Sequence, residues 1–150
     1  MKIVLDILCA FVRTPTPDDA YPVLEINNTT DLRPLRPDVQ AILSLLFNAS
    51  KTNWDFIPND YKIRLDGADL GRATIRSGNF FGADFSDADL RGANFVGTDM
   101  TGVSYRGSNL ENASLVVSNL DKAYLYDANL SNVDLADAEN LTQTALDLAH

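Results

Sequence analysis

From Leu65 onward a large apolar residue returns at every fifth position. The series runs Leu65, Leu70, Ile75, Phe80, Phe85, Leu90, Phe95, Met100, Tyr105, Leu110, Leu115, Leu120, Leu125, Leu130 and Leu135, fifteen residues in fifteen steps. Two places before each stands a residue that is usually small, such as Ala68, Ala83, Ala93 or Ala128, with Ile63, Thr98, Val103 and Val133 as larger exceptions. Between them the chain places Asp or Asn at Asp69, Asn79, Asp84, Asp89, Asn94, Asp99, Asn109, Asn119, Asn129 and Asp134. A helix of about 3.6 residues per turn would spread a five-residue period around every side, and a flat strand would throw alternate copies onto opposite faces. A chain that turns a corner every five residues buries the pattern, because the large and the small residue of each unit then point inward and the other three point out. Four units close one square coil, so residues twenty apart stack. The inward columns expected are Leu65, Phe85, Tyr105, Leu125; Leu70, Leu90, Leu110, Leu130; Ile75, Phe95, Leu115, Leu135; and Phe80, Met100, Leu120.

In this frame the chain contains Gly67-Ala68-Asp69-Leu70, Asp87-Ala88-Asp89-Leu90, Gly92-Ala93-Asn94-Phe95 and Asp127-Ala128-Asn129-Leu130. These resemble the Ala-Asp/Asn-Leu-x-x motif of the pentapeptide-repeat family. The resemblance implies an all-β solenoid, a right-handed quadrilateral β-helix of about four coils, and coils spaced by about 4.8 Å would make a rod roughly 18 Å long. Gly67, Gly82, Gly92, Gly97, Gly102 and Gly107 all hold the last unit position. A corner there favours positive φ, which glycine adopts without penalty.

A short repeat leaves apolar ends that need covers. Residues 1–62 are expected to form a helical and loop cap, 63–137 the β-helix and 138–150 a C-terminal cap. Val4, Ile7, Leu8 and Phe11 share one helical face within Ile3 to Val12, and Val39, Ile42, Leu43 and Leu46 share another within Pro37 to Phe47. Trp54, Phe56, Ile57 and Tyr61 are expected to pack the second helix onto the first coil. After a one-residue slip at Asn140, residues 141–146 read as a short helix with Thr142 as N-cap and Leu141 and Leu146 as a hydrophobic staple. The phrases Leu8-Cys9-Ala10-Phe11-Val12-Arg13 and Arg36-Pro37-Asp38-Val39-Gln40-Ala41 are similar to a segment preceding the repeats in some bacterial membrane-associated members of the family. That similarity implies either the cytoplasmic end of a longer protein or a stand-alone relative, with membrane contact expected only in the former.

The formal charge of -9 opposes unaided binding to nucleic acid or an anionic membrane. One cysteine, Cys9, forms no internal disulfide, so a cytoplasmic location is expected. A cysteine nucleophile needs a basic neighbour, and the single histidine is the terminal His150. No phosphate loop, zinc spacing or serine elbow occurs, so neither catalysis nor a cofactor is expected. Asp69 and Asp89, continued by Asn109 and Asn129, form a ladder with the look of a cation site, but such side chains ordinarily accept hydrogen bonds from corner amides.

Function is therefore expected to lie in an exposed face that meets a protein partner or a second copy. The alternative, a DNA mimic that protects or inhibits a type II topoisomerase, is what the resemblance implies for some members. Arg64, Arg72, Arg76, Arg91, Arg106 and Lys122 interrupt the acids on all sides and weigh against it. The fourth and fifth unit positions of the third side read Arg76, Val96, Val116, Ala136 and Ser77, Gly97, Val117, Asp137. An exposed run of Val96, Val116 and Val117, flanked by Arg76 and Asp137, is the candidate interaction surface; β-branching would equally suit it to a strand.

Overall fold

Each five-residue unit ends in a tight turn. The computed structural model describes Gln40 and residues 62–150; the expectations for Ile3 to Val12, Cys9, Trp54, Phe56, Ile57 and Tyr61, and for Pro37 to Phe47 apart from Gln40, lie outside these. The last residue of every unit from Gly67 (φ 66) to Asp137 (φ 54) has left-handed backbone, at six glycines and nine other residues. In thirteen of these units the amide after it closes the turn, as where Ala68 donates to the Leu65 carbonyl at 3.1 Å. Positive φ at the third residue with this closure is the signature of a type II turn.

Successive turns bring the chain back above itself. Twelve parallel backbone bridges run from Arg64 with Asp84 to Asn119 with Glu139, each joining residues twenty apart. They fall in four columns, so four units make one coil. Residues 88–92 show where the amides go. Ala88 donates to Phe85 within its own turn, Asp89 to Ala68 in the coil before, and Leu90 and Gly92 to Asn109 and Glu111 in the coil after, at 2.8–3.1 Å. The fifth amide, of Arg91, donates to the Asp89 side chain at 3.1 Å.

The inward columns form the core. Thirteen of the large residues, Leu65 through Leu125, are buried, while Leu130 and Leu135 in the last coil are partly buried and pack against it. Four rings meet in the middle: Phe80, Phe85 and Phe95 lie 5.4–5.9 Å apart in tilted and edge-on pairs, and Tyr105 stacks on Phe85 at 5.6 Å. Such offset and edge contacts suit the ring quadrupole. Where the small position carries a hydroxyl, it is satisfied locally: Thr98, Ser108 and Ser118 donate to the carbonyls of Phe95, Tyr105 and Leu115 at 2.6–2.7 Å. The Tyr105 hydroxyl has no partner among the described residues, and burial pushes this phenol far above its ordinary pKa.

The C-terminal end is closed by added backbone pairing as well as by apolar cover. Asn140 takes left-handed backbone (φ 60) at the slip in frame. Helix α1 (Gln143–Leu146) follows, with the Thr142 hydroxyl accepting from the Ala145 amide at 3.2 Å. Leu141 and Leu146 pack against the last coil. The tail then lies down as an extra rung that the sequence pattern did not announce. Asp127 donates to the Leu148 carbonyl, Leu130 to the His150 carbonyl, and His150 back to Ala128, at 2.7–2.9 Å.

At the opposite end, helical Gln40 reaches Thr74 in the first coil. Its Nε2 donates to the Thr74 carbonyl at 2.8 Å and its Oε1 accepts from the Thr74 amide at 2.9 Å. In the next coil Asn94 spends the same two groups on backbone, with its amide donating to Ala73 and its carbonyl accepting from Ile75. The side-chain amide of Gln40 thus gives Thr74 the carbonyl and the amide that a neighbouring coil gives Asn94, and a sheet edge is blunted.

Two core substitutions should move stability in opposite directions. Leu110→Ala removes packing from a middle coil and should cost about 2–5 kcal/mol. Tyr105→Phe removes an unsatisfied buried hydroxyl and should raise stability by about 1–3 kcal/mol. Urea titration reads both signs, and a destabilised Tyr105→Phe variant would show that the hydroxyl has a partner.

Candidate interaction surface

The polar residues most suggestive of chemistry are occupied by the fold. All ten Asp and Asn residues between a small and a large position accept the amide two residues on, from Asp69 with Gly71 at 3.4 Å to Asp134 with Ala136 at 3.0 Å. In the Asp69–Asp89 ladder, Asp89 also holds Arg91 in an ion pair of 2.6 Å. Partial burial works to raise the Asp89 pKa, but the hydrogen bonds and charge of Arg91 outweigh it and leave the carboxyl below its ordinary value. Its partner responds in kind, as the Asp89 hydrogen bond raises the Arg91 pKa. Higher up, Asn129 donates to Asn109 at 3.1 Å. Among the described residues no cluster of His, Cys, Asp and Glu is arranged to hold a metal ion.

What remains for recognition is the outward surface. Arg76, Val96, Val116 and Ala136 climb the corner that closes the third side, with Ser77, Gly97, Val117 and Asp137 beside them; each step is one coil. Arg76, Ala136 and Asp137 are exposed, Val96 and Val116 are half-buried, and Val117 is 52% exposed. The apolar run is therefore narrower than its sequence suggested, with Val117 as its projecting point. β-Branching does not explain Val117 as a strand residue either, since it occupies a turn with φ 56.

A family model for pentapeptide repeats matches residues 68–104 and 106–137 with eight copies. The matched segments are pentapeptide repeats. Solved structures that resemble it include a pentapeptide repeat protein from the thylakoid lumen of Arabidopsis thaliana, 25% identical over 51% of this chain and 57% of that one, with a TM-score of 0.43. Rfr23 from the cyanobacterium Cyanothece is 31% identical over 49% and 56%, with a TM-score of 0.24. HetL from Nostoc, involved in heterocyst differentiation regulation, is 25% identical over 53% and 48%, with a TM-score of 0.24. The chain thus spans about half the length of the solved structures it matches. No curated protein matches it.

Other outward apolar residues of this chain escaped the sequence reading. Phe81 is 60% exposed, and Tyr124 and Tyr126 are each 47% exposed with rings 6.2 Å apart. The five-residue frame contains the signal, because Phe81 and Tyr126 hold the fourth unit position and Tyr124 the second. They do not form one patch: Phe81 belongs to the first coil, and the tyrosines belong to the last.

Among the corner residues Val117 is the conformational exception. Left-handed backbone in a residue bearing Cβ costs about 1–2 kcal/mol, and a β-branched side chain is least suited to it. Asn112 and Asn132 hold the equivalent turn position at φ 58 and 57. Val117→Asn should therefore raise stability by about 0.5–1.5 kcal/mol, read as a higher midpoint in chemical denaturation. A lower midpoint would mean that packing of the valine outweighs its strain.

Proposed function

We propose that this chain is a non-catalytic protein-interaction module. In this reading residues 63–137 form a right-handed quadrilateral β-helix of about four coils, covered by an α-helical N-terminal segment over 1–62 and by the C-terminal segment over 138–150. The module presents the corner of Arg76, Val96, Val116, Val117, Ala136 and Asp137 to a protein partner. The observation that carries it is the occupation of polar side chains by backbone: the Asp and Asn residues that would otherwise be acids, bases or ligands are turn acceptors. Exposed apolar area at a corner is then the feature left without a folding role. The Asp89–Arg91 ion pair interrupts the acidic ladder, which weighs against mimicry of duplex DNA. No helix among the described residues is long and apolar enough to cross a membrane. Cytoplasmic placement is part of the proposal and rests on the single cysteine, Cys9.

The double change Val116→Lys with Val117→Glu tests the surface. Both residues stand at outward unit positions, so the melting curve should stay cooperative while co-purification of the partner from native host extract is lost. Unchanged co-purification would place the interface elsewhere.

A further inference from the structure

The corner column carries a pattern complementary to its own reverse. From the first coil to the last it reads Arg76, then Val96 with Gly97, then Val116 with Val117, then Asp137. A cation thus stands at one end, an anion at the other, and apolar or open positions between them. Arg76 and Asp137 are both exposed, and among the described residues neither takes part in an ion pair. They stand three coils apart, roughly 14 Å at about 4.8 Å per coil, too far to meet within one molecule.

We propose that this corner pairs with the same corner of a second copy, the two rods antiparallel about a twofold axis at right angles to them. The inference rests on the reading of this corner as an interaction surface. A twofold contact uses one patch twice, so the patch must complement itself. In the antiparallel arrangement the first coil meets the second copy's fourth, and the second meets its third. Arg76 then approaches the second copy's Asp137, and Val96 meets its Val116.

Val117, the projecting residue, lies against the second copy's Gly97. A side chain added at Gly97 would approach only the Ser77 hydroxyl, at 3.6 Å, so the glycine leaves open the space that the valine fills. This accounts for a strained valine at Val117 and a bare position one coil below it.

The flanking columns favour the same orientation. They read Thr74, Asn94, Ser114, Asp134 on one side and Asn79, Asp99, Asn119, Glu139 on the other. Antiparallel pairing sets Asp134, Asp99 and Glu139 opposite the second copy's Thr74, Asn119 and Asn79, so no acid faces an acid. Parallel pairing would set Asp134 against Glu139 and Arg76 against Arg76, which like-charge repulsion disfavours. A four-coil corner is smaller than the about 800 Å² per partner of standard stable interfaces. The dimer accordingly belongs to the weak class, with half-association expected at about 10–500 µM.

Sedimentation equilibrium of the purified full chain, from micromolar to about 1 mM, tests the pairing. Arg76→Asp and Asp137→Arg should each weaken dimerisation by about fivefold or more, because each places two like-charge contacts across the twofold. The two together should restore it to within about threefold of the parent. Gly97→Asn, tolerated at positive φ, should weaken it by filling the space for Val117. A parent that stays monomeric at about 1 mM, or a double swap as weak as the single ones, overturns the proposal. If the parent is monomeric yet Val116→Lys with Val117→Glu still loses a co-purifying protein, the corner remains an interaction surface and only self-pairing falls.

Discussion

The amide that the coil cannot use governs this protein. In a five-residue unit four backbone N–H groups find carbonyls, in the turn or in the coils above and below, as residues 88–92 show. The amide at the fourth place points away from every carbonyl. A buried or half-buried amide without an acceptor costs about 1–3 kcal/mol, and the repeat meets this with one side chain. Asp or Asn two residues earlier is the shortest acceptor that reaches, at 2.9–3.4 Å. The motif is thus two requirements superposed: an apolar pair that faces inward and a carboxyl or carboxamide that completes the turn.

That superposition explains which features were legible in the sequence. The period of five fixed the coil length and the inward residues, because burial repeats with the chain. The Thr142 cap was legible too, since it is local. The terminal rung at 148–150 was not, because backbone pairing of Leu148 and His150 with Asp127 and Leu130 leaves no side-chain pattern. Gln40 escaped for the opposite reason: one side chain pairs as main chain would across 34 positions of sequence, and nothing near Gln40 marks it. The corner was only half legible. Val96, Val116 and Val117 were seen as an apolar run, but the left-handed turn at Val117 shows the strain.

The division of labour follows. Folding uses the inward residues and the Asp and Asn acceptors. In the proposed reading recognition falls to the fourth and fifth unit positions, where nothing in the turn specifies residue type except tolerance of positive φ. A residue that violates that tolerance, such as Val117, is where a demand other than folding is legible.

Asp and Asn side chains satisfy the fourth amide of their units. Amide hydrogen exchange tests it unit by unit, because some units lack the acceptor: Thr74, Ser104, Ser114 and Tyr124 stand in its place, and the amides of Arg76, Arg106, Val116 and Tyr126 have no acceptor among the described residues. After correction for intrinsic rates, the amides of Phe81, Ser86, Thr101 and Glu111, each bonded to an Asp or Asn, should exchange at least about tenfold more slowly than those four. Equal rates in the two sets would contradict the account.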